Sequence, residues 1–147
     1  MGIYERILCA VDFSGLSEAA CARAIALTRH FKAQLTLLHV VEYFPEDRSN
    51  EIIAPEIEDP SGYQETRARQ GLHELAGRLG YREAKQEVLF SPHSAWHEIL
   101  RFAGTHETDL IVLGCHGHHG MATLLGSTAN GVVNRAPCDV LAVRPES

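Results

Sequence analysis

Leu110-Ile111-Val112-Leu113-Gly114-Cys115-His116-Gly117-His118-His119-Gly120 and, further on, Gly126-Ser127-Thr128-Ala129-Asn130 carry the reading of this chain. Apolar residues run unbroken from 110 to 113 into a loop with glycine at 114, 117, 120 and 126. A run of that kind suits a strand covered on both faces, as in a parallel sheet. Gly126-Ser127-Thr128 then opens a helix. Glycine lets backbone N–H groups approach an anion closely. The first turn of a helix adds unpaired donors and the positive end of the dipole. Strand, glycine loop and helix N-terminus together make a phosphate cradle. The spacing is not a Walker A loop, because no Gly-Lys-Ser/Thr follows. Nor is it the G-x-G-x-x-G dinucleotide fingerprint, because the glycines run Gly114-x2-Gly117-x8-Gly126-Ser127.

Working outward, the same strand-then-helix rhythm repeats. Arg6 to Val11 is a short apolar strand ending at Asp12-Phe13-Ser14-Gly15, and Ser14 or Ser17 caps a helix from Leu16 to Phe31. Arg29, His30 and Lys32 suit its C-terminal dipole end. Gln34 to Val41 reads as the second strand, with His39 as a hydrogen-bonded histidine near its end rather than a metal ligand. Glu42 to Pro60 carries three prolines and seven acidic residues and reads as an irregular, solvated connection. Its apolar island, Ile52-Ile53-Ala54, is read with it.

A helix follows from Ser61 to Leu79, with Ala68, Leu72, Leu75 and Leu79 on one face and Gly80 at its C-terminal end. Ala84 to Phe90 alternates as a third strand. Ser94 caps a helix from Ala95 to about Gly104, whose buried face is Trp96, Ile99, Leu100 and Ala103. Asp109 to Leu113 is the fourth strand. The helix after the glycine loop runs to about Asn134, and Val140-Leu141-Ala142-Val143 is the fifth strand, stopped by Arg144-Pro145.

Alternation of strands and helices predicts an α/β fold with an open parallel sheet and helices on both faces, formed by residues 1–147 as one domain. Ligands of such sheets sit beyond the carboxyl ends of the strands where strand order reverses. With an order of 3-2-1-4-5, strands one and four are neighbours there. Val11-Asp12 and Leu113-Gly114 then face one crevice. Asp12 either caps a helix or accepts from a base amino group or ribose hydroxyl.

Net charge is −6, from 19 acidic and 13 basic side chains. That argues against nucleic acid and anionic membranes, which want a basic surface. No apolar run approaches the ~20 residues of a spanning helix. The first strand begins almost at once, which leaves no room for a signal peptide, so a cytoplasmic location is expected. Cys9, Cys21, Cys115 and Cys138 are widely spaced and read as free thiols. Cys115 with His116, His118 and His119 invites a zinc or redox reading. Adjacent residues rarely surround one tetrahedral ion, however, and no second ligand pair at typical spacing is visible. His93 and His97 would add to it only if the fold brought them near. Ser127 lacks the G-x-S-x-G elbow of a hydrolase.

Ile7-Leu8-Cys9-Ala10-Val11-Asp12-Phe13-Ser14, Leu37-Leu38-His39-Val40, Asp109 to Gly117, and Leu125-Gly126-Ser127-Thr128-Ala129 to Val143 together resemble the universal stress protein family over nearly the whole chain. The resemblance implies a Rossmann-like five-stranded sheet of order 3-2-1-4-5. It also implies a homodimer through the last strand, Val140, Leu141, Ala142 and Val143. Many members bind ATP through a G-x2-G-x9-G-S/T signature, and here the second gap is eight residues. Carried over, Val11, Asp12 and Val40 contact base or ribose. Gly114, His116, Gly117, His118, Gly126, Ser127 and Thr128 surround ribose and phosphates. Ser91 stands in a turn where relatives often have glycine. Neither a Ser-Gly-Gly loop nor a His-x-Gly-His motif follows strand one, which argues against AMP-forming chemistry. The resemblance implies a stress-response regulator that binds ATP, with Mg²⁺ as an accompanying ion, or another adenine nucleotide, and that hydrolyses it slowly at most. The alternatives are a nucleotide-free dimeric interaction module of the same fold and, behind it, a metal-dependent or redox enzyme using Cys115 and nearby histidines.

Overall fold

In chain order, strand β1 (Arg6–Ala10) leads to helix α1 (Gly15–Phe31), then β2 (Gln34–Glu42) and α2 (Pro60–Arg78). β3 (Lys85–Ser91), α3 (Ala95–Thr105), β4 (Leu110–Gly114), α4 (Ser127–Arg135) and β5 (Asp139–Val143) complete it. This computed structural model describes residues 2–42, 60–115 and 125–145. The strands form one sheet in the order β3-β2-β1-β4-β5, and every neighbouring pair is parallel. The expected architecture is therefore the observed one.

Two apolar layers hold the helices to the sheet. Ile7, Cys9, Leu35, Leu37, Leu110 and Val112 point to the face covered by α1 and α2, where Ala20, Ala24, Leu72 and Leu75 meet them. Leu8, Leu38, Ile111 and Leu113 point to the other face, against Ile99, Phe102, Ala103 and Val132 of α3 and α4. The alternation follows from the period of two along a strand. Burying each large aliphatic chain contributes about 1.5–3 kcal/mol, which makes these layers the main support of the sheet.

Several boundaries move. β4 begins at Leu110 and keeps Gly114 as its last residue, so this glycine ends a strand and is not in the loop. Val11 lies just past β1, although its N–H still donates to the Leu38 carbonyl at 2.8 Å. Ser91 closes β3; it is fully buried, and its hydroxyl accepts from the His93 N–H. It shapes the turn after β3 from the inside. Glu42 belongs to β2 and Pro60 to α2, and the rest of the connection, residues 43–59, lies outside the described residues. Ile52-Ile53-Ala54 lies outside the described residues.

The buried face of α3 is also corrected. Glu98, Ile99, Phe102 and Ala103 are buried, while Trp96 and Leu100 are half-buried at the flanks. The 3.6-residue period centres the stripe near Ile99 and Phe102, and Glu98 is tolerated inside because it pairs with Arg101 at 2.5 Å. Trp96 packs on Gly131 of α4, with the Arg135 guanidinium 4.7 Å from its ring. Ser94 occupies the N-cap without a side-chain cap bond, whereas Ser14 accepts from the Ser17 N–H at α1.

Candidate functional site

The crevice is made by two strands that end side by side. Their last described pair is Cys9 with Val112, and beyond it β1 runs into the Val11–Ser14 turn while β4 runs to Gly114 and Cys115. Crossovers leave β1 toward β2 on one side and reach β4 from β3 on the other, so this is the point where strand order reverses.

On the β1 side, Asp12 is exposed. Its Oδ1 accepts from the Ser14 N–H at 2.9 Å and from the Ser14 hydroxyl. Asp12 thus braces Ser14, the cap residue of α1, from the turn beyond β1. Next to it, β2 outruns β1. The last β1 pair is Ala10 with Leu38, and the Leu38 carbonyl faces β1. Hydrogen-bonding direction alternates along a strand. Val40, two residues on, therefore turns its backbone N–H and C=O to the same side, past the end of β1. Its side chain packs into the layer under α3 and α4. Val40 thus turns backbone rather than side chain toward the end of β1. His39 holds the turn from beneath, with Nδ1 2.7 Å from the Val11 carbonyl oxygen. A carbonyl accepts only, so Nδ1 carries the proton. The structural role read for His39 stands.

On the β4 side, the Cys115 N–H donates to the Val143 carbonyl at 2.9 Å, and the Cys115 carbonyl accepts from the Gly126 N–H at 2.7 Å. The glycine loop is pinched shut at its base between these two residues. Gly126 is the N-cap of α4, and its carbonyl accepts from the Asn130 N–H at 2.8 Å. Because the Gly126 N–H is spent on Cys115, the donors that α4 leaves for an anion among the described residues are those of its first turn, Ser127, Thr128 and Ala129. Ser127 is exposed and Thr128 half-buried.

Gly114 has a packing reason for lacking a side chain. A Cβ there would come within 2.8 Å of Leu16 Cγ in α1. Of the residues expected in the site, Val11, Asp12, Val40, Gly114, Gly126, Ser127 and Thr128 are brought to one end of the sheet. His116, Gly117 and His118 lie outside the described residues, as do His119 and Gly120. Cys115 is buried. His93 and His97 do meet each other, with ring centroids 5.0 Å apart, where β3 passes into α3. Among the described residues no group of three or more His, Cys, Asp or Glu could hold a metal ion.

Cys9 and Cys21 are fully buried in the layer beneath α1. Their hydrogen bond, followed by burial, pushes the Cys9 thiol well above its ordinary pKa, so it stays neutral, as a packing residue should.

The residue that sequence reasoning passed over is Phe13. It takes a left-handed backbone, φ 63°, inside the crevice turn. Its ring lies 4.6 Å from that of His39. The only hint in the sequence was its place between Asp12 and Ser14.

A doubly wound parallel sheet with an Asp turn and a helix N-terminus at the same switch point defines a small Rossmann-like α/β domain. The chain belongs to the universal stress protein family, whose model matches residues 3–144. It is 36% identical over 140 residues to universal stress protein A homolog 1 of Coxiella burnetii, covering 95% of this chain and 96% of the relative. Universal stress protein UspA from Lactobacillus plantarum superposes with a TM-score of 0.73 at 27% identity, covering 98% of this chain and all of that one. The fold is shared, at 22% identity and TM-score 0.70, with a universal stress protein in complex with cAMP; 99% of this chain and 100% of that one are covered. It is also shared, at 19% identity and TM-score 0.68, with the Archaeoglobus fulgidus protein in complex with dAMP, covering 97% of this chain and 100% of that one.

Proposed function

We propose that this protein is a cytoplasmic stress-response regulator that binds an adenine nucleotide, ATP with Mg²⁺ in the first instance, in the β1–β4 crevice, and that it works as a homodimer paired through β5. The observation that carries the reading is the pairing of two donor–acceptor sets across one switch point. Asp12 and the Val40 backbone stand on one side, and the first turn of α4 at Ser127-Thr128 on the other. The first set suits the hydrogen-bonding edge of a base or a ribose hydroxyl, and the second suits phosphate. That two proteins of the same fold hold cAMP and dAMP is consistent with it.

Binding acts by shifting the population of crevice conformations that partners meet. Hydrolysis, where it occurs, is slow.

Isothermal titration with ATP·Mg²⁺, cAMP and dAMP tests the reading. One saturable site per chain is expected, weakened about tenfold by Asp12→Ala, in keeping with about 1.4 kcal/mol for a charge-assisted hydrogen bond. Heat of dilution only, for all three nucleotides at millimolar concentration, defeats it.

A second reading, the nucleotide-free interaction module, is favoured by Gly114, whose missing side chain is explained by Leu16 with no ligand. The eight-residue gap before Gly126 points the same way. A stable dimer from which no nucleotide is recovered by mass spectrometry, and to which none can be added, selects it.

A further inference from the structure

Three non-glycine residues take a left-handed backbone among the described residues: Phe13, Lys32 and Glu107. Lys32 and Glu107 end helices, where that conformation is common. Phe13 alone lies in the crevice turn. A bulky side chain at φ 63° is strained and persists only where its surroundings over-determine it.

The surroundings here do so from three sides. Above one face of the ring, His39 lies at 4.6 Å and 43°. That imidazole is itself fixed, its Nδ1 bonded to the Val11 carbonyl two residues before Phe13. At the ring edge is Gly71 of α2, where even a Cβ would come within 2.8 Å of Phe13 Cε1. Beneath, Asp12 and Ser14 are joined across Phe13 by the two hydrogen bonds to Oδ1. The residue is nevertheless 43% exposed, so burial of this ring in the core does not account for its conformation.

We propose that Phe13 is a positioning residue. Its ring, wedged between His39 and Gly71, holds the Val11–Ser14 turn in the left-handed form that presents Asp12 to a nucleotide. Gly71 is glycine because the wedge needs its space. The wedge ties α2 to the ligand crevice through one side chain. Its ligand rests on the nucleotide reading above; its mechanics do not.

The test uses the whole chain and two readouts. In ligand-free protein, Gly71→Ala displaces the ring. The Ser14 amide and the His39 Nδ1–H resonances must both shift. Affinity for ATP·Mg²⁺ then falls about fivefold, and in the Phe13→Leu background, where the smaller chain leaves room for the methyl, Gly71→Ala changes it less than twofold. Additive losses overturn the proposal. So does a Gly71→Ala protein whose Ser14 and His39 signals stay in place, because a merely structural role of α2 lowers the melting temperature without moving them.

Phe13→Gly keeps the backbone conformation without strain and removes the wedge. Ser14 amide exchange must then rise about tenfold or more although the melting temperature holds. Unchanged exchange overturns the proposal even where Gly71→Ala fails to fold. If wild type binds no adenine nucleotide, the functional reading fails by itself, and the Ser14 and His39 signals alone decide the wedge.

Discussion

Gly114 shows how a single residue is read two ways. Its place after an apolar strand suggested close approach to a phosphate, whereas Leu16 of α1 fills the space where its side chain would be. Gly114→Ala is expected to cost about 1–3 kcal/mol by overpacking and to be partly repaired by Leu16→Ala; paired denaturation curves check it. Thr28 offers the opposite sign. It is buried in α1, and its hydroxyl has no hydrogen-bond partner among the described residues. Thr28→Val should therefore raise stability by roughly 1 kcal/mol, read as a higher denaturation midpoint at unchanged slope.

Tyr4 carries a pH dependence. Its hydroxyl donates to Asp139 Oδ2 at 2.8 Å, and that bond, then burial and the charge of Asp139, raise its pKa above the ordinary 10.0. The folded state favours the protonated phenol. The contribution is therefore present below pH 10 and lost as pH rises through the higher folded value. Tyr4→Phe should flatten the alkaline limb of a stability–pH curve; an unchanged limb contradicts the link. None of these partners was visible in sequence, because each joins residues far apart in the chain.

Helix ends were the most legible elements. Gly80 was read as a C-terminal residue and has φ 73°, with Gly80 N–H donating to the Gly77 carbonyl and Tyr81 N–H to that of Ala76. The same closure recurs at Lys32 and Glu107, where Ala33 and Thr108 donate back to Thr28 and Ala103. Only at Gly80 does composition announce it. Gly80→Ala should cost about 1 kcal/mol, while Lys32→Gly should cost nothing or stabilise slightly, measured by thermal unfolding. Strand extents were legible to within a residue or two because they are apolar runs. The buried stripe of α3 was misjudged toward Trp96, since periodicity alone cannot tell the centre of a stripe from its flank. Phe13 was missed because left-handed geometry at an aromatic residue is imposed by His39 and Gly71 rather than encoded locally.

At the scale of the molecule, alternation of elements led directly to the sheet, and its order put Asp12 and the start of α4 at one crevice. The two sheet edges differ in kind. β3 begins with Lys85, Gln86 and Glu87, polar chains that discourage pairing, whereas β5 carries Val140, Leu141 and Ala142, all half-buried. Beside β5 a hollow of about 380 Å³ is lined by Tyr4, Leu27, Leu110, Asp139, Val140 and Leu141. That apolar edge supports β5 as the surface for a second copy. Ala142→Lys should convert a dimer to a monomer in sedimentation equilibrium with the circular dichroism spectrum retained; a persistent dimer places the contact elsewhere. No helix among the described residues is long and apolar enough to cross a membrane.

The central claim is that the crevice binds a nucleotide, and thermal unfolding across a titration with ATP and Mg²⁺ tests it most directly. A ligand that binds the folded state alone stabilises it by about 2.7 kcal/mol at a hundred times its Kd, or roughly 5–10 °C for a chain of this size. The account predicts a saturable rise of that order that is reduced in Asp12→Ala. A melting temperature that stays flat to millimolar ATP·Mg²⁺ would contradict it.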